Sequence, residues 1–133
     1  MPLVDLIDET FVVCAPAALA ARFHEEKLWR AWWPDLRLSV FMDRGVKGIR
    51  WSIAGALIGS CEVWLEPFAD GTIVHYYLRA DVPSPQRSRG GRGRDARLRR
   101  EHAVRWKRRL NALKDELEAG RPPGCPPPAA SLT

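Results

Sequence analysis

The sequence lacks the features that would place the chain in a membrane or in an oxidised, secreted protein. No apolar run among its 133 residues approaches the length of a membrane span. No basic segment followed by an apolar one stands at the N-terminus, so no secretory signal is expected. The three cysteines, Cys14, Cys61 and Cys125, are odd in number and far apart. They argue against a disulfide framework and predict a reducing, cytoplasmic setting.

The spacings that hold metals and phosphates are also missing. The three histidines and three cysteines show neither C-x-x-C nor H-x-x-x-H spacing, so neither a metal nor a cofactor is expected. The glycines at 90–93 lack the preceding strand and the Lys-Ser/Thr pair of a phosphate-binding loop. The sequence therefore predicts no metal- or nucleotide-dependent chemistry.

Positive charge is concentrated in one part of the chain. The overall net charge is +5, but residues 1–86 carry a net −3 and residues 87–109 a net +9. This arginine-rich segment can bind nucleic acid or an anionic surface, and it can equally be a solvated loop and helix face. Because charge runs are usually solvated, nucleic-acid or anionic-surface binding is kept as the alternative function.

The strongest positive feature is a cluster of tryptophans followed by proline. Trp29, Trp32 and Trp33 lie within five residues, and Pro34 ends the helical segment that carries them. A tryptophan side chain usually anchors a core, a pocket or an interface. The cluster stands where two predicted helices give way to a series of predicted strands.

Hydrophobic periodicity predicts the order of the elements. A strand over residues 3–13 is followed by a helix over 16–27 and a second short helix over 28–33. Four alternating runs then predict antiparallel strands, at residues 36–43, 49–54, 57–66 and 73–80. A long helix is predicted from an N-cap at Asp95 to Ala119, with an apolar stripe through Trp106.

These elements predict an α+β domain in which an antiparallel sheet wraps around the long C-terminal helix. We expect one domain over residues 1–120, with a flexible basic loop at about 83–94 inside it. Residues 121–133 are rich in proline and are expected to be disordered.

The chain resembles the helix-grip fold of the START-like and Bet v 1-like superfamily, and within it the bacterial polyketide cyclase/dehydrase-like (SRPBCC) proteins. The resemblance covers roughly residues 3–119 and rests on order and pattern rather than on a catalytic motif. It is carried by the segments 11–16, 29–34, 48–51, 62–67 and 106–114.

The resemblance implies a cavity between the sheet and the last helix that binds a lipid, a polyketide or another hydrophobic molecule, in some relatives with cyclisation or dehydration. That superfamily usually has six strands between its helices, whereas four are predicted here. The difference predicts a smaller or more open pocket, and a sheet edge that a second subunit can cover in a homodimer. Alternatively, residues 55–66 split into two strands at Gly59.

The predicted lining residues are those of the apolar register, with Trp32 or Trp33 at the rim, whereas Trp29 is assigned to packing. They are Trp32, Trp33, Trp51, Ile53, Val63, Leu65, Tyr76, Leu78, Trp106, Leu110 and Leu113. The competing interpretation is that these residues simply fill a core, as apolar stripes usually do.

A second set of residues carries the candidate acid–base chemistry. His75, Tyr77, Arg79 and Glu62 share one register with Arg50, and we favour an outer-face ladder over a catalytic network. No inward acid or base is evident, so binding without catalysis is favoured and enzyme activity is left open. A module that binds no ligand and acts through its surface is the third interpretation.

Overall fold

Five antiparallel strands and three α-helices make up the described part of the chain. The computed structural model describes residues 4–83 and 91–119. The elements are β1 (Val4–Val12), α1 (Pro16–Phe23), α2 (Glu26–Trp32), β2 (Leu36–Asp43), a 3-10 turn (Gly45–Lys47), β3 (Gly48–Gly55), β4 (Ile58–Phe68), β5 (Gly71–Asp81) and α3 (Gly91–Leu117).

The strands form one sheet with the order β1-β5-β4-β3-β2, and every neighbouring pair is antiparallel. Alternation along each strand turns Trp51, Val63 and Tyr76 toward one face, where all three are buried. The long helix α3 covers that face, with Trp106 stacked on Tyr76 at 3.9 Å between ring centroids. The structure confirms the α+β helix-grip architecture, with four strands after the two short helices.

One helix boundary predicted from the sequence was wrong for a local reason. The first helix ends at Phe23 rather than continuing to residue 27. The His24 ring N–H donates to the Ala20 carbonyl at 2.7 Å, and the Trp29 indole N–H donates to the Phe23 carbonyl at 2.7 Å. The Ala20 carbonyl also accepts the His24 backbone N–H, so the Trp29 indole is the side chain that satisfies a carbonyl at this helix end, and the chain can turn there.

The start of the last helix also differs from the prediction. Helix α3 begins at Gly91, so Asp95 lies inside it and is not its N-cap, and the predicted loop is shorter than 83–94. Extending an anchored helix is much easier than starting one, so the glycines at 91 and 93 do not prevent an extra turn. Residues 84–90, where the rest of that loop falls, and the tail 121–133 lie outside the described residues.

The alternative of two strands split at Gly59 was also wrong, because β4 runs without a break from Ile58 to Phe68. Gly59 has φ +157°, and a Cβ at this position would lie 2.1 Å from the Arg79 carbonyl oxygen of β5. The glycine is needed for the close approach of two strands, not for a turn.

Candidate ligand site

The predicted lining residues come together between the sheet and α3. All of them are buried except Trp32, which is half-buried. The sheet supplies Trp51, Ile53, Val63, Leu65, Tyr76 and Leu78, and α3 supplies Trp106, Leu110 and Leu113. Trp33 lies in this interior with 3% of its surface exposed, so it is a core residue rather than a rim residue.

Aromatic rings in this interior pack directly against one another. The Trp33 ring lies 5.3 Å from Trp51, 6.2 Å from Tyr76 and 6.4 Å from Trp106, measured between centroids. Such offset and tilted contacts stabilise an aromatic cluster beyond the area it buries. Trp33 is therefore the ring that separates the β3 side of the interior from the β5 and α3 side.

Sequence reasoning missed a polar pair in this apolar interior. The Tyr76 hydroxyl oxygen lies 2.8 Å from Nε2 of His102, and both residues are buried. Burial, followed by the charge of Arg105, lowers the pKa of His102 to about 4. Burial holds the pKa of Tyr76 well above 10, although a polar contact from the Trp33 indole opposes this. Both groups are thus neutral at pH 7, which is what a hydrogen-bonded pair away from water requires.

A signal for His102 was present in the sequence. The residue stands four positions before Trp106 and four after Leu98, so it extends the apolar stripe of α3 by one turn. Its place on this stripe, rather than any metal-ligand spacing, predicts that the histidine faces the interior.

A surface groove runs along α3 on the side of Asp35 and Arg105. It has a volume of about 680 Å³ and lies between the N-terminal half of α3 and the turn that joins α2 to β2. Its lining residues are Asp35, Leu98, Arg100, Glu101, Val104 and Arg105. The charges of Asp35 and Arg105, two of these lining residues, both act on the His102 ring, so the groove lies near that histidine.

The ion pair between Asp35 and Arg105 in the wall of the groove is a weak contact. Asp35 Oδ2 and an Arg105 guanidinium nitrogen are 3.8 Å apart, and both side chains are more than two-fifths exposed. Exposed pairs of this kind contribute about 0–1 kcal/mol. This ion pair therefore adds little to the contact between the α2–β2 turn and α3.

Trp32 lies at a different opening. With Arg109 and Leu113 it lines a cleft of about 270 Å³ on the other side of α2. Trp29, which the sequence assigned to packing, contacts the Trp51 ring at 5.5 Å. The three clustered tryptophans thus have three different surroundings.

The residues of the outer register lie on the sheet face opposite α3. Cross-strand pairing places Glu62 beside both Arg50 and Tyr77, as the predicted ladder requires. His75 stacks on Trp64 at 4.2 Å and donates to the Glu66 carboxylate at 2.9 Å. The structure confirms the ladder interpretation, because these groups do not face the interior.

An acidic residue that the sequence did not single out also faces α3. Asp8 of β1 accepts hydrogen bonds from the Lys107 ammonium at 2.8 Å and from the Trp106 indole N–H at 2.9 Å. Partial burial favours the neutral acid, but these hydrogen bonds outweigh it and lower the pKa of Asp8. Asp8 is an ionised anchor for α3 that orients the central tryptophan of its stripe.

No family model and no curated protein matches the sequence. Solved structures do match the fold. The di-domain ARO/CYC StfQ of the steffimycin biosynthetic pathway has a TM-score of 0.63 at 16% identity, over 84% of this chain and 49% of that chain. The Aha1 dimer from Colwellia psychrerythraea has a TM-score of 0.61 at 17% identity, over 90% of this chain and 99% of that chain.

DynU16, from the dynemicin biosynthetic locus, has a TM-score of 0.56 at 17% identity, over 89% of this chain and 48% of that chain. This chain has a helix-grip fold like that of these structures. At these identities the likeness establishes the fold, and the helix-grip domain described here spans about half of StfQ and of DynU16.

Among residues 4–83 and 91–119, no three His, Cys, Asp or Glu side chains are grouped as a metal site. None of the helices there is long and apolar enough to cross a membrane.

Proposed function

We propose that this helix-grip domain binds a small hydrophobic ligand, of lipid or polyketide-like chemistry, between the sheet and α3. The groove of about 680 Å³ beside the Asp35–Arg105 pair carries the proposal. It combines apolar side chains, Leu98 and Val104, with charged ones, of which Asp35 and Arg105 act electrostatically on the buried His102 ring. Concave sites of this size, with apolar walls and a few polar groups, are typical of small-molecule binding. StfQ belongs to the steffimycin biosynthetic pathway and DynU16 to the dynemicin biosynthetic locus, which supports the same ligand class here.

The aromatic cluster is the wall that the ligand would meet. Since Trp33, Trp51, Tyr76 and Trp106 are packed together, the ligand has to part some of these contacts as it enters. A cyclase or dehydratase activity would need an inward proton donor or acceptor, and the Tyr76–His102 pair is a group of that kind. We also propose that the protein works in a reducing, cytoplasmic setting, in keeping with the free thiols of Cys14 and Cys61.

Two measurements test the binding proposal. Native mass spectrometry of the purified protein should detect a reproducible apolar species that copurifies with it. Fluorescence titration with 1-anilinonaphthalene-8-sulfonate should show saturable binding, and V104E should weaken it about tenfold because a carboxylate then stands in the groove. The control is I7E, at another exposed apolar residue on the opposite face of the sheet, and it should bind like the parent protein. Neither a copurifying species nor a saturable response would contradict the proposal.

The alternative function, nucleic-acid or anionic-surface binding through the phosphate contacts of residues 87–109, has less support. Lys107 is bonded to Asp8, Arg99 donates to the Asp5 carbonyl, and Arg109 donates to the Ala31 carbonyl. These cations hold α3 to the rest of the domain and are not a free basic surface. If phosphate binding were the function, RNA or DNA should be retained at low salt and released as salt is raised.

We also propose that a second copy of the chain covers the β2 edge of the sheet. Strand β2 ends the sheet order, and its residues Val40, Phe41 and Met42 are exposed. Exposed apolar edge strands are usually covered in a native assembly. The similar fold solved as the Aha1 dimer supports an assembly of two copies.

A further inference from the structure

The interior of the helix-grip domain contains a polar atom that the described chain leaves without a partner. Trp51 is fully buried, and its indole Nε1 makes no hydrogen bond within the described residues. A buried donor without an acceptor is costly, so native proteins rarely keep one without a reason. The Trp29 ring lies edge-on to Trp51 at 5.5 Å, and an N–H contact to its π-face would replace a true acceptor only weakly.

The unpartnered donor lies close to the Tyr76–His102 pair. The Trp33 ring contacts Trp51 on one side and Tyr76 on the other, at 5.3 Å and 6.2 Å between centroids. Displacement of this single ring would join the Trp51 N–H and the Tyr76 hydroxyl in one space. The space would then have apolar walls and two polar points.

The segment that carries Trp33 is held in a way that allows this displacement. Trp33 is the first residue after α2, with φ −129° and ψ 66°, and Pro34 prevents the helix from continuing. Two residues later, Asp35 makes the long, exposed pair with Arg105 in the wall of the groove. Opening that pair removes a side-chain contact between this turn and α3. The backbone hydrogen bonds from Trp33 to Trp29 and from Ala56 to Asp35 keep the turn itself in place, so the groove and the interior become one site through rotation of the Trp33 side chain.

We propose that the ligand is a hydrophobic ring compound that bears a carbonyl oxygen, and that this oxygen accepts a hydrogen bond from the Trp51 N–H after the ligand displaces Trp33. The Tyr76–His102 pair forms a second polar point for another oxygen of the ligand. This inference rests on the proposed function and specifies its ligand chemistry. A purely hydrocarbon ligand would leave the Trp51 donor as unsatisfied as it is in the free protein.

A matched pair of probes tests the inference. The ketone 1-tetralone and the hydrocarbon tetralin have the same bicyclic skeleton and differ in one carbonyl oxygen. In the parent protein, fluorescence titration should show tetralone binding about tenfold more tightly than tetralin. W51F, which removes the N–H and keeps an aromatic ring, should abolish most of this preference while tetralin binding is retained. Y76F, which removes only one hydroxyl, should reduce the preference less.

A second measurement covers the case in which W51F does not fold. In proton–nitrogen correlation spectra of the parent protein, tetralone should shift the Trp51 indole N–H resonance downfield, and tetralin should not. Equal affinity for the two probes, or an indole resonance that responds equally to both, would overturn the inference and leave the proposed function standing. Binding of neither probe would overturn both.

Discussion

At the scale of single residues, His102 and His24 have pKa values that move in opposite directions. Burial and the charge of Arg105 lower the pKa of His102 to about 4, and Asp35 only partly opposes this. For His24, partial burial disfavours the charged ring, but hydrogen bonds to the Ala20 carbonyl and to Asp43 outweigh it and raise the pKa. The two rings therefore contribute to stability in different pH ranges.

We expect His102 to make the domain sensitive to acid. Below about pH 6.5 the unfolded chain binds a proton at this histidine that the folded protein binds only near pH 4. Stability should fall by on the order of 3 kcal/mol across that range, at 1.36 kcal/mol per pKa unit. Urea denaturation at a series of pH values should show this loss in the parent protein and a much smaller one in H102L.

The control for this prediction is H24Q. The contribution of His24 is complete below its unfolded pKa and is lost as pH rises through its raised folded pKa, so H24Q should make the loss in acid steeper. An H102L variant with the pH dependence of the parent protein would show that His102 is protonated in the folded state.

At the scale of elements, basic residues beside the apolar stripe hold α3 in place. The clearest contact is the Lys107 ammonium, which donates to both Asp8 oxygens and to the Thr10 hydroxyl. Further along the helix, Lys114 donates to the Phe11 carbonyl at 2.9 Å. These contacts orient the helix along β1, whereas its apolar stripe supplies most of the burial.

We expect K107M to destabilise the domain by about 1–3 kcal/mol, because it leaves the Asp8 carboxylate partly buried without its cation. R108M, at the adjacent exposed position, should change stability by less than about 0.5 kcal/mol. The folded-state pKa of Asp8 is lowered, so its contribution is fully present above its unfolded pKa of about 4 and is lost as pH falls from there through the lowered folded pKa. The difference between K107M and the parent protein should accordingly narrow in acid. A difference that is constant with pH would contradict this account.

Strand pairing between β4 and β5 gives a second prediction at this scale. G59A should destabilise the domain by about 3 kcal/mol or more, because its Cβ would lie 2.1 Å from the Arg79 carbonyl oxygen. The matched variant is G45A, at φ +62° with no atom within 4 Å of the added Cβ, and it should cost about 1 kcal/mol. Thermal denaturation of the two variants separates steric overlap from backbone strain. Equal losses would contradict the close approach at Gly59.

At the scale of the whole molecule, alternation along the strands was enough to predict the sheet and the face that α3 covers. Trp51 and Tyr76 could be assigned to the interior because period-2 patterning determines the side of a strand on which a residue lies. The inward direction of Trp33 was not predictable in the same way. It follows from the break between α1 and α2, which depends on two side chains capping the carbonyls of α1. The Tyr76–His102 contact joins residues 26 positions apart, and periodicity in one element cannot show such a pairing.

The same limit applies to the edges of the sheet, because a pattern shows that a strand exists but not what covers it. The register of β2 against β3 shifts between Val40 and Met42, which leaves Phe41 and Met42 as neighbouring exposed side chains. A bulge of this kind interrupts continued strand pairing at an edge. We therefore expect a second copy to pack on these side chains rather than to extend the hydrogen-bond ladder.

This expectation predicts that F41E converts a dimer to a monomer. The carboxylate would have to be buried in the interface, where the Arg50 guanidinium that now lies over the Phe41 ring offsets only part of its desolvation, so the dissociation constant should rise at least tenfold. Light scattering after size-exclusion chromatography, at several protein concentrations, measures the change. The control variant I58E places the same charge at an exposed isoleucine outside β2, and it should leave the measured mass of the dimer unchanged. A parent protein that is monomeric at all concentrations, or an F41E variant that stays dimeric, would show that the β2 edge is not the contact between copies.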